Sequence, residues 1–580
     1  MPDPANATLA EAIDHLRRQF AWLVDDFVRG RLVVWTGARF SEQRLPPLDQ
    51  LLTELLDGIH ARIDHSIPKC PYRDWLAEKV PANLHGPIRD VPSTWPHIQK
   101  IVDDFWLSYS ALLDDDIGDA GVPVSLKWHI LKIHEKYAPE NPDPDAEHRF
   151  LALLMAERAV EESVTTNWDD LVETAFARTK GARVGRQLSV IVHRDDLAEP
   201  APFPSLFKVH GCARRVRDDF NKNAEYVVAT HTQITEWVVQ PSREAVQERL
   251  RDVIRRRSII LVGSSLQDQN LQQNFAKAIQ QVGPLPRHPP KLAFTSTTLE
   301  VPHRQVLKVL YGNEIFTAHR PDFERSSVLS LYSKPLLGSL YVLTLIRKAE
   351  AIADVASGEL GSWTGDLRRG IELFERRLCE WFDNLSHGSP DEKWRELSRF
   401  LPALVSRFRN LREHAEVPGS DEEYHEFWNE NVGEILQGSH PLGTKLHRVL
   451  LTLSVLMLGD EARHWVTSVA QSAEVTAGQF HIQAGSRSLA VFCLDNDSES
   501  WGRATQQGLI DEAVQTDVAV IYPSGSEPKD RPRYGTPAAG HSLPTRTRPL
   551  GPTQIWMDDE RENAGDLNTL LASLQTQLKA

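Results

Sequence analysis

The chain has 580 residues, of which 41% are hydrophobic and 25% charged, with a formal net charge of −15 and four cysteines. That length exceeds what one hydrophobic core usually covers, and the composition excludes a disordered or fibrous chain. The acidic balance gives no general pull toward nucleic acid, so direct nucleic-acid binding would need a local basic patch and stays open.

Cys70, Cys212, Cys379 and Cys493 lie too far apart for any Cys-x-x-Cys pair. This argues against a disulfide framework or a structural zinc site and fits a reducing compartment. The N-terminus lacks the basic-then-apolar order of a secretion signal, and the most apolar run, Leu336 to Ile346, is too short to span a bilayer. A cytoplasmic protein without a membrane segment is expected.

In chain order, Thr8 and Glu11 read as a capping box, and apolar residues keep helical spacing from Leu9 to Phe27. Leu32-Val33-Val34-Trp35 is a continuous apolar run, as a strand buried on both faces requires, followed by Thr36-Gly37-Ala38-Arg39-Phe40-Ser41. Small residues after a first strand let the backbone approach a pyrophosphate. From about residue 46 to 142 a proline-broken helical pattern reads as an insertion over the site.

A second strand ends in Ser163-Val164-Thr165-Thr166-Asn167-Trp168-Asp169 and runs straight into a helical pattern. Ser189 to Val192, Leu206 to Gly211 and Tyr226 to Thr230 read as further strands, the second of them ending in His210. Ser242 to Arg257 is an amphipathic helix whose arginines read as a solvated face. The strand Ser258 to Val262 leads into Gly263-Ser264-Ser265-Leu266, and Leu292 to Thr295 and Glu314 to Thr317 are expected to close the sheet.

The expected architecture is α/β, with an N-terminal Rossmann-like parallel sheet over residues 1–320. A mainly helical domain follows at 321–465. A small α/β domain at 466–580 comes last, made of a hairpin (Phe480 to Ala484 with Ser488 to Leu494), a helix (Arg503 to Val514) and a strand (Asp517 to Tyr522). It lacks the carboxylates of a nuclease site, and its basic stretch 523–552 is expected to be a mobile loop.

Asn167 and His210, each at the end of an expected strand, bring an amide and an imidazole to the sheet edge where ligands bind. An amide can hold a sugar and a water without changing charge, and an imidazole takes a proton at neutral pH. Taken singly, Asn167 and Asp169 also fit a helix cap, and His210 a hydrogen-bonded core histidine.

Four segments in this order, the loop Thr36 to Ser41, Asn167-Trp168-Asp169, Lys208-Val209-His210-Gly211 and Gly263-Ser264-Ser265-Leu266, resemble the sirtuin-like family of NAD-consuming domains. The resemblance covers roughly Ala10 to Thr317. It implies NAD+ as substrate with no metal, Asn167 and His210 as catalytic residues, and a binding set of Gly37, Ala38, Arg39, Ser41, Thr166, Asp169, Gly263, Ser264 and Ser265.

The absent cysteine pairs place the resemblance with the zinc-free bacterial branch. It implies an NAD+ glycohydrolase of antiviral, abortive-infection defence, held in check by a regulatory protein partner or a homo-oligomer; such domains occur with motor ATPases and short Argonautes. Arg39 stands where the family's loop normally has a second glycine. The alternatives are a catalytically silent nucleotide sensor or scaffold acting through its C-terminal domains and, disfavoured by the missing zinc cysteines, a protein deacylase.

Overall fold

The computed structural model describes most of residues 4–437, with short breaks of which the longest are 181–186, 198–203, 281–291, 356–362 and 414–423. Beyond 437 it describes the backbone of five strand segments. Leu32–Thr36 (β1) is buried at every position because its side chains serve two cores. Leu32 and Val34 face the helices Leu9–Gln19, Ala21–Val28 and Ala146–Ala156, while Val33 and Trp35 face the helices Glu244–Arg256, Gln269–Gln280 and Val301–Tyr311. Side chains alternate along a strand, so a sheet covered on both faces needs unbroken apolar runs.

In chain order β1 is followed by Asp116–Asp119 (β2), Val122–Ser125 (β3), Glu162–Thr165 (β4), Ser189–Ile191 (β5), Ser205–Lys208 (β6), Ser258–Val262 (β7), Leu292–Thr295 (β8) and Val328–Leu329 (β9). Seven of these form one parallel sheet in the order β5-β6-β4-β1-β7-β8-β9. The chain builds the β4 side first and then crosses to the β7 side, so the switch point lies between β1 and β7. In such sheets ligands bind beyond the carboxyl ends of the strands at that point.

Residues 46–142 carry helices at Leu48–His60, Pro71–Lys79 and Ile98–Trp106 around their own apolar core, together with the antiparallel pair β2 and β3 that the helical pattern did not announce. The expected helix through Phe27 is two helices, broken at Phe20, whose φ of −126° leaves the helical region while its ring stays fully buried.

Tyr226 to Thr230 is not a strand. A 3-10 turn, Ala224–Tyr226, leads into extended residues bonded to the sheet edge through Val228 N–H to the His210 carbonyl (3.0 Å). The apolar side chains of Val227 and Val228 are buried in two different cores, which gives them strand-like composition without a ladder. Glu314 to Thr317 likewise lies in a helix, Asn313–Ala318, with Phe316 packed on Phe323 (ring centroids 5.5 Å apart); a short apolar run does not distinguish helix from strand.

The sheet continues past residue 320. β9 closes it, and the next helix, Ser333–Val355, is buried along most of its length in the same core as β1 and the helix Ala146–Ala156. Among the described residues no helix is long and apolar enough to cross a membrane. The C-terminal strands Val466–Val469 (β10), Gln479–Ala484 (β11), Arg487–Cys493 (β12), Val518–Ile521 (β13) and Arg548–Leu550 (β14) form a second sheet in that order. The expected hairpin is β11 with β12, and β13 pairs parallel to β12. β14 pairs parallel to β13, so the end of the stretch expected to be a loop is a strand. The expected helix from Arg503 to Val514 lies outside the described residues.

The helix Ser333–Val355 is locked to the sheet domain by a buried ion pair. Lys348 Nζ donates to Glu157 Oε2 (2.6 Å) and to the carbonyls of Glu157 (2.8 Å) and Trp428 (2.6 Å). Glu157 Oε1 accepts from Phe427 N–H (2.7 Å) and from Tyr424. Both charges are fully buried, and removing one partner strands the other. Lys348→Met is expected to cost about 3–5 kcal/mol of stability in urea unfolding; a loss below about 1 kcal/mol would mean that Glu157 finds another partner.

Candidate functional site

Four neighbouring strands end in one row. The register pairs Thr36 with Thr165 and with Val262, and Thr165 with Lys208, so β6, β4, β1 and β7 release their loops side by side. Gly37, Thr166, Val209 and Gly263 are the first residues beyond that row. The row brings together all four segments singled out in the sequence, with Ser265 outside the described residues.

Between β1 and β7 the two glycine loops interlock. Gly37 N–H donates to the Val262 carbonyl (3.0 Å) and Arg39 N–H to the Gly263 carbonyl (3.2 Å). A Cβ on Gly37 would stand 2.7 Å from the Gly263 oxygen and the Ser264 Cα, and one on Gly263, whose φ is +65°, would stand 2.8 Å from the Phe40 nitrogen. Only glycine permits this approach of backbone to backbone. Gly263 N–H is held by Thr295 Oγ1 (3.2 Å), and Leu266 keeps a positive φ of +51° with its side chain buried. Such strain gathers at ligand loops.

On the other side of β1, Thr166 N–H donates to the Thr36 carbonyl (3.2 Å), carrying the pairing one residue past the strands. Asn167 is half-buried; its N–H donates to Thr165 Oγ1 (3.0 Å) and its Nδ2 to Ser41 Oγ (3.1 Å). Asp169 is buried and caps the helix Leu171–Lys180, accepting from Leu171 N–H (3.1 Å), so the capping role is real. Burial raises its pKa against the opposing effects of Lys208, Leu171 and Ser41.

Lys208 is buried beneath this turn, donating to the Asp169 carbonyl and to Glu173 (2.6 Å). His210 is buried, and its carbonyl ties Val228 to the site. Gly211 takes a φ of +89° to turn the chain away there. Trp168 next to Asn167 packs edge-on against Tyr137 (5.2 Å), which seats the 46–142 insertion beside the catalytic candidates.

A cavity of about 480 Å³ opens at the switch point, lined by Arg39, Gly263, Ser264, His303, Glu147 and Lys334 among others. Asn167 and His210 lie on the β4–β6 side of the row and do not line it; Ala38 and Arg39 are exposed between. Among the described residues Arg39 forms no ion pair, while Glu147 is buried with Oε2 free of hydrogen bonds there. Burial pushes the Glu147 carboxyl up to about 7, although Lys334 Nζ, 3.7 Å away, opposes this.

Around the site, His148, Lys334 and His303 also hold positions that the strand-and-loop motifs do not mark. His303 Nδ1 accepts from Glu300 N–H (3.3 Å), which leaves Nε2 to donate to the Ser264 carbonyl (3.4 Å). Asp145-x-x-His148 and Glu300-x-x-His303 are capping boxes with histidine at the third helical position, a signal visible in the sequence but hidden by the usual expectation of Glu or Gln there. Among the described residues no group of three or more His, Cys, Asp or Glu side chains is placed to hold a metal ion.

A doubly wound parallel sheet with two glycine loops meeting at its switch point is a Rossmann-like α/β core. The family model of the SIR2-like domain matches residues 161–315, a span that holds Asn167, Asp169, His210 and the Gly263 turn, so the chain carries a sirtuin-like domain. SIR2-like domains bind NAD+, and the family is generally one of NAD-dependent enzymes. No curated protein matches the chain.

Arg39 lines the cavity with no ion pair among the described residues, and its backbone holds no positive φ that would call for glycine. Arg39→Ala is expected to weaken NAD+ binding by about 1.5–3 kcal/mol in calorimetric titration, the worth of a charge-assisted contact to the pyrophosphate. Tighter binding by the variant would place the guanidinium in the space that the phosphates need.

Proposed function

We propose that the chain is an NAD+ glycohydrolase, with Asn167 and His210 as its catalytic residues. What supports this most is the row of strand ends. Loops that suit a pyrophosphate leave β1 and β7, while an amide and an imidazole leave the adjacent β4 and β6, within the reach of one dinucleotide.

In the reaction the bond from ribose C1′ to the nicotinamide nitrogen breaks, and nicotinamide departs neutral with the electron pair. A water adds to C1′ and gives up one proton, leaving ADP-ribose. The departing pyridinium needs little help, so catalysis rests on stabilising the oxocarbenium-like ribose and placing the water. With Nδ2 engaged by Ser41, Asn167 Oδ1 makes no hydrogen bond among the described residues and is the acceptor left for water or ribose. His210 takes up the proton through the ribose hydroxyls or the water.

The Gly37–Ser41 and Gly263–Ser264 loops, with Arg39, hold the pyrophosphate; Thr166 and Asp169 fix the turn that presents Asn167. Unchecked NAD+ cleavage would exhaust the cell that makes the enzyme. The reading therefore includes control by a protein partner or by self-association, as in antiviral defence.

Nicotinamide and ADP-ribose released by the full chain are to be quantified, alone and with the products of neighbouring genes. Asn167→Ala and His210→Ala are each expected to lower release at least ~100-fold while circular dichroism and thermal unfolding remain close to the parent. Parental rates in either variant remove that residue from the mechanism. Absence of turnover in the parent under every condition, together with NAD+ binding, favours the nucleotide-sensor reading.

A further inference from the structure

We propose that His148 is a positioning residue that sets the orientation of the Asn167 amide through Ser41. The inference rests on the glycohydrolase reading for its kinetic consequence, but not for its geometry. His148 Nδ1 accepts from Asp145 N–H (3.3 Å), so in this network the ring proton is assigned to Nε2, which lies 3.1 Å from Ser41 Oγ. Ser41 Oγ therefore accepts from His148. Its remaining lone pair accepts from Asn167 Nδ2 at 3.1 Å, and Ser41 favours the charged form of the Asp169 carboxyl, the acceptor toward which its own hydrogen turns.

With both lone pairs of the hydroxyl taken and its hydrogen turned toward Asp169, Asn167 presents its NH₂ to Ser41. Its Oδ1 is then directed away from Ser41 and is available to a ligand. Reversing the amide would set two acceptors against each other.

The imidazole is fixed on every side. It is fully buried, Phe40 meets it edge-on at 4.8 Å, and its backbone N–H is capped by the Asp145 side chain. Burial drives its pKa down to about 3, so the ring stays neutral and keeps this single tautomer across the physiological range.

The chain of bonds starts outside the nucleotide fold. Asp145 accepts from Arg395 Nε and Nη2 (2.7 and 2.8 Å) and from Lys334 Nζ (3.0 Å), both carried by helices that follow the sheet, Pro390–Glu413 and Ser333–Val355. Burial disfavours the Asp145 charge, yet these partners hold its carboxyl well below the usual carboxylate range. The docking of the later helices thus reaches the Asn167 amide through four residues: Asp145, whose backbone N–H holds the ring, His148, Ser41 and Asn167.

The test uses the full chain with His148→Leu, which fills the site without a donor, and His148→Gln, which restores an acceptor for Asp145 N–H and a donor for Ser41. Crystal structures of parent and variants report the Asn167 amide, and nicotinamide release reports kcat and KM. In His148→Leu the amide is expected to leave its parental orientation and kcat to fall about 10- to 100-fold, with KM for NAD+ within about twofold; His148→Gln is expected to regain most of the rate.

An unmoved amide with parental kcat in His148→Leu overturns the proposal. If the parent itself never cleaves NAD+, the functional reading has failed and the amide orientation alone decides this one. If the His148 variants do not fold, Ser41→Ala breaks the same chain one link later, and an amide unchanged there overturns the proposal as well.

Discussion

Gly37 and Gly263 approach so closely that a methyl group on either would stand inside the other loop's backbone, at 2.7–2.8 Å. Everything that makes the site follows from this contact. It lets β1 and β7 run as neighbours to their last residues, and it puts the switch point at the floor of a cavity rather than under side chains. It also leaves the loop residues after each glycine to turn outward, where Arg39 and Ser264 meet the same space. A side chain at either glycine would separate the loops, and the row of strand ends that gathers the four segments would lose its centre.

The sheet does not hold this arrangement alone. Two ion-pair networks tie the helices after residue 333 to the helix Ala146–Ala156, one at each end: Asp145 with Lys334 and Arg395, and Glu157 with Lys348. Buried charges of this kind contribute less net stability than their Coulomb energy suggests, because desolvation offsets most of it. Their effect here is to fix register. The helix between them carries His148 at its start, so the later helices and the candidate catalytic turn are set by the same few bonds. The apolar core shared by β1, this helix and Ser333–Val355 makes the same point in packing terms.

Most of the sheet was legible because strands buried on both faces must be continuous apolar runs: Ser258 to Val262 and Leu292 to Thr295 were read to the residue. The glycine loops and the Asn167 and His210 turns were legible because special backbone chemistry follows each run. Tyr226 to Thr230 and Glu314 to Thr317 misled, since short β-branched or aromatic stretches bury equally well as loop or helix. The reach of the sheet to β9, only two residues long, was hidden by its brevity. His148 leaves a local trace in Asp145-x-x-His148, but its bond to Ser41, like that of Lys334 to Asp145, joins partners distant in sequence, and no local pattern encodes a contact of that range.

For NAD+ cleavage as proposed, one dinucleotide must span the row from the interlocked glycines to Asn167 and His210. The most direct measurement is a crystal structure of the full chain carrying His210→Ala, grown with NAD+. The pyrophosphate is expected against the Gly37–Ser41 and Gly263–Ser264 backbone, with the nicotinamide ribose within hydrogen-bond reach of Asn167 Oδ1. NAD+ bound away from the row, or lying across the glycine loops with its nicotinamide end directed away from Asn167, would contradict it.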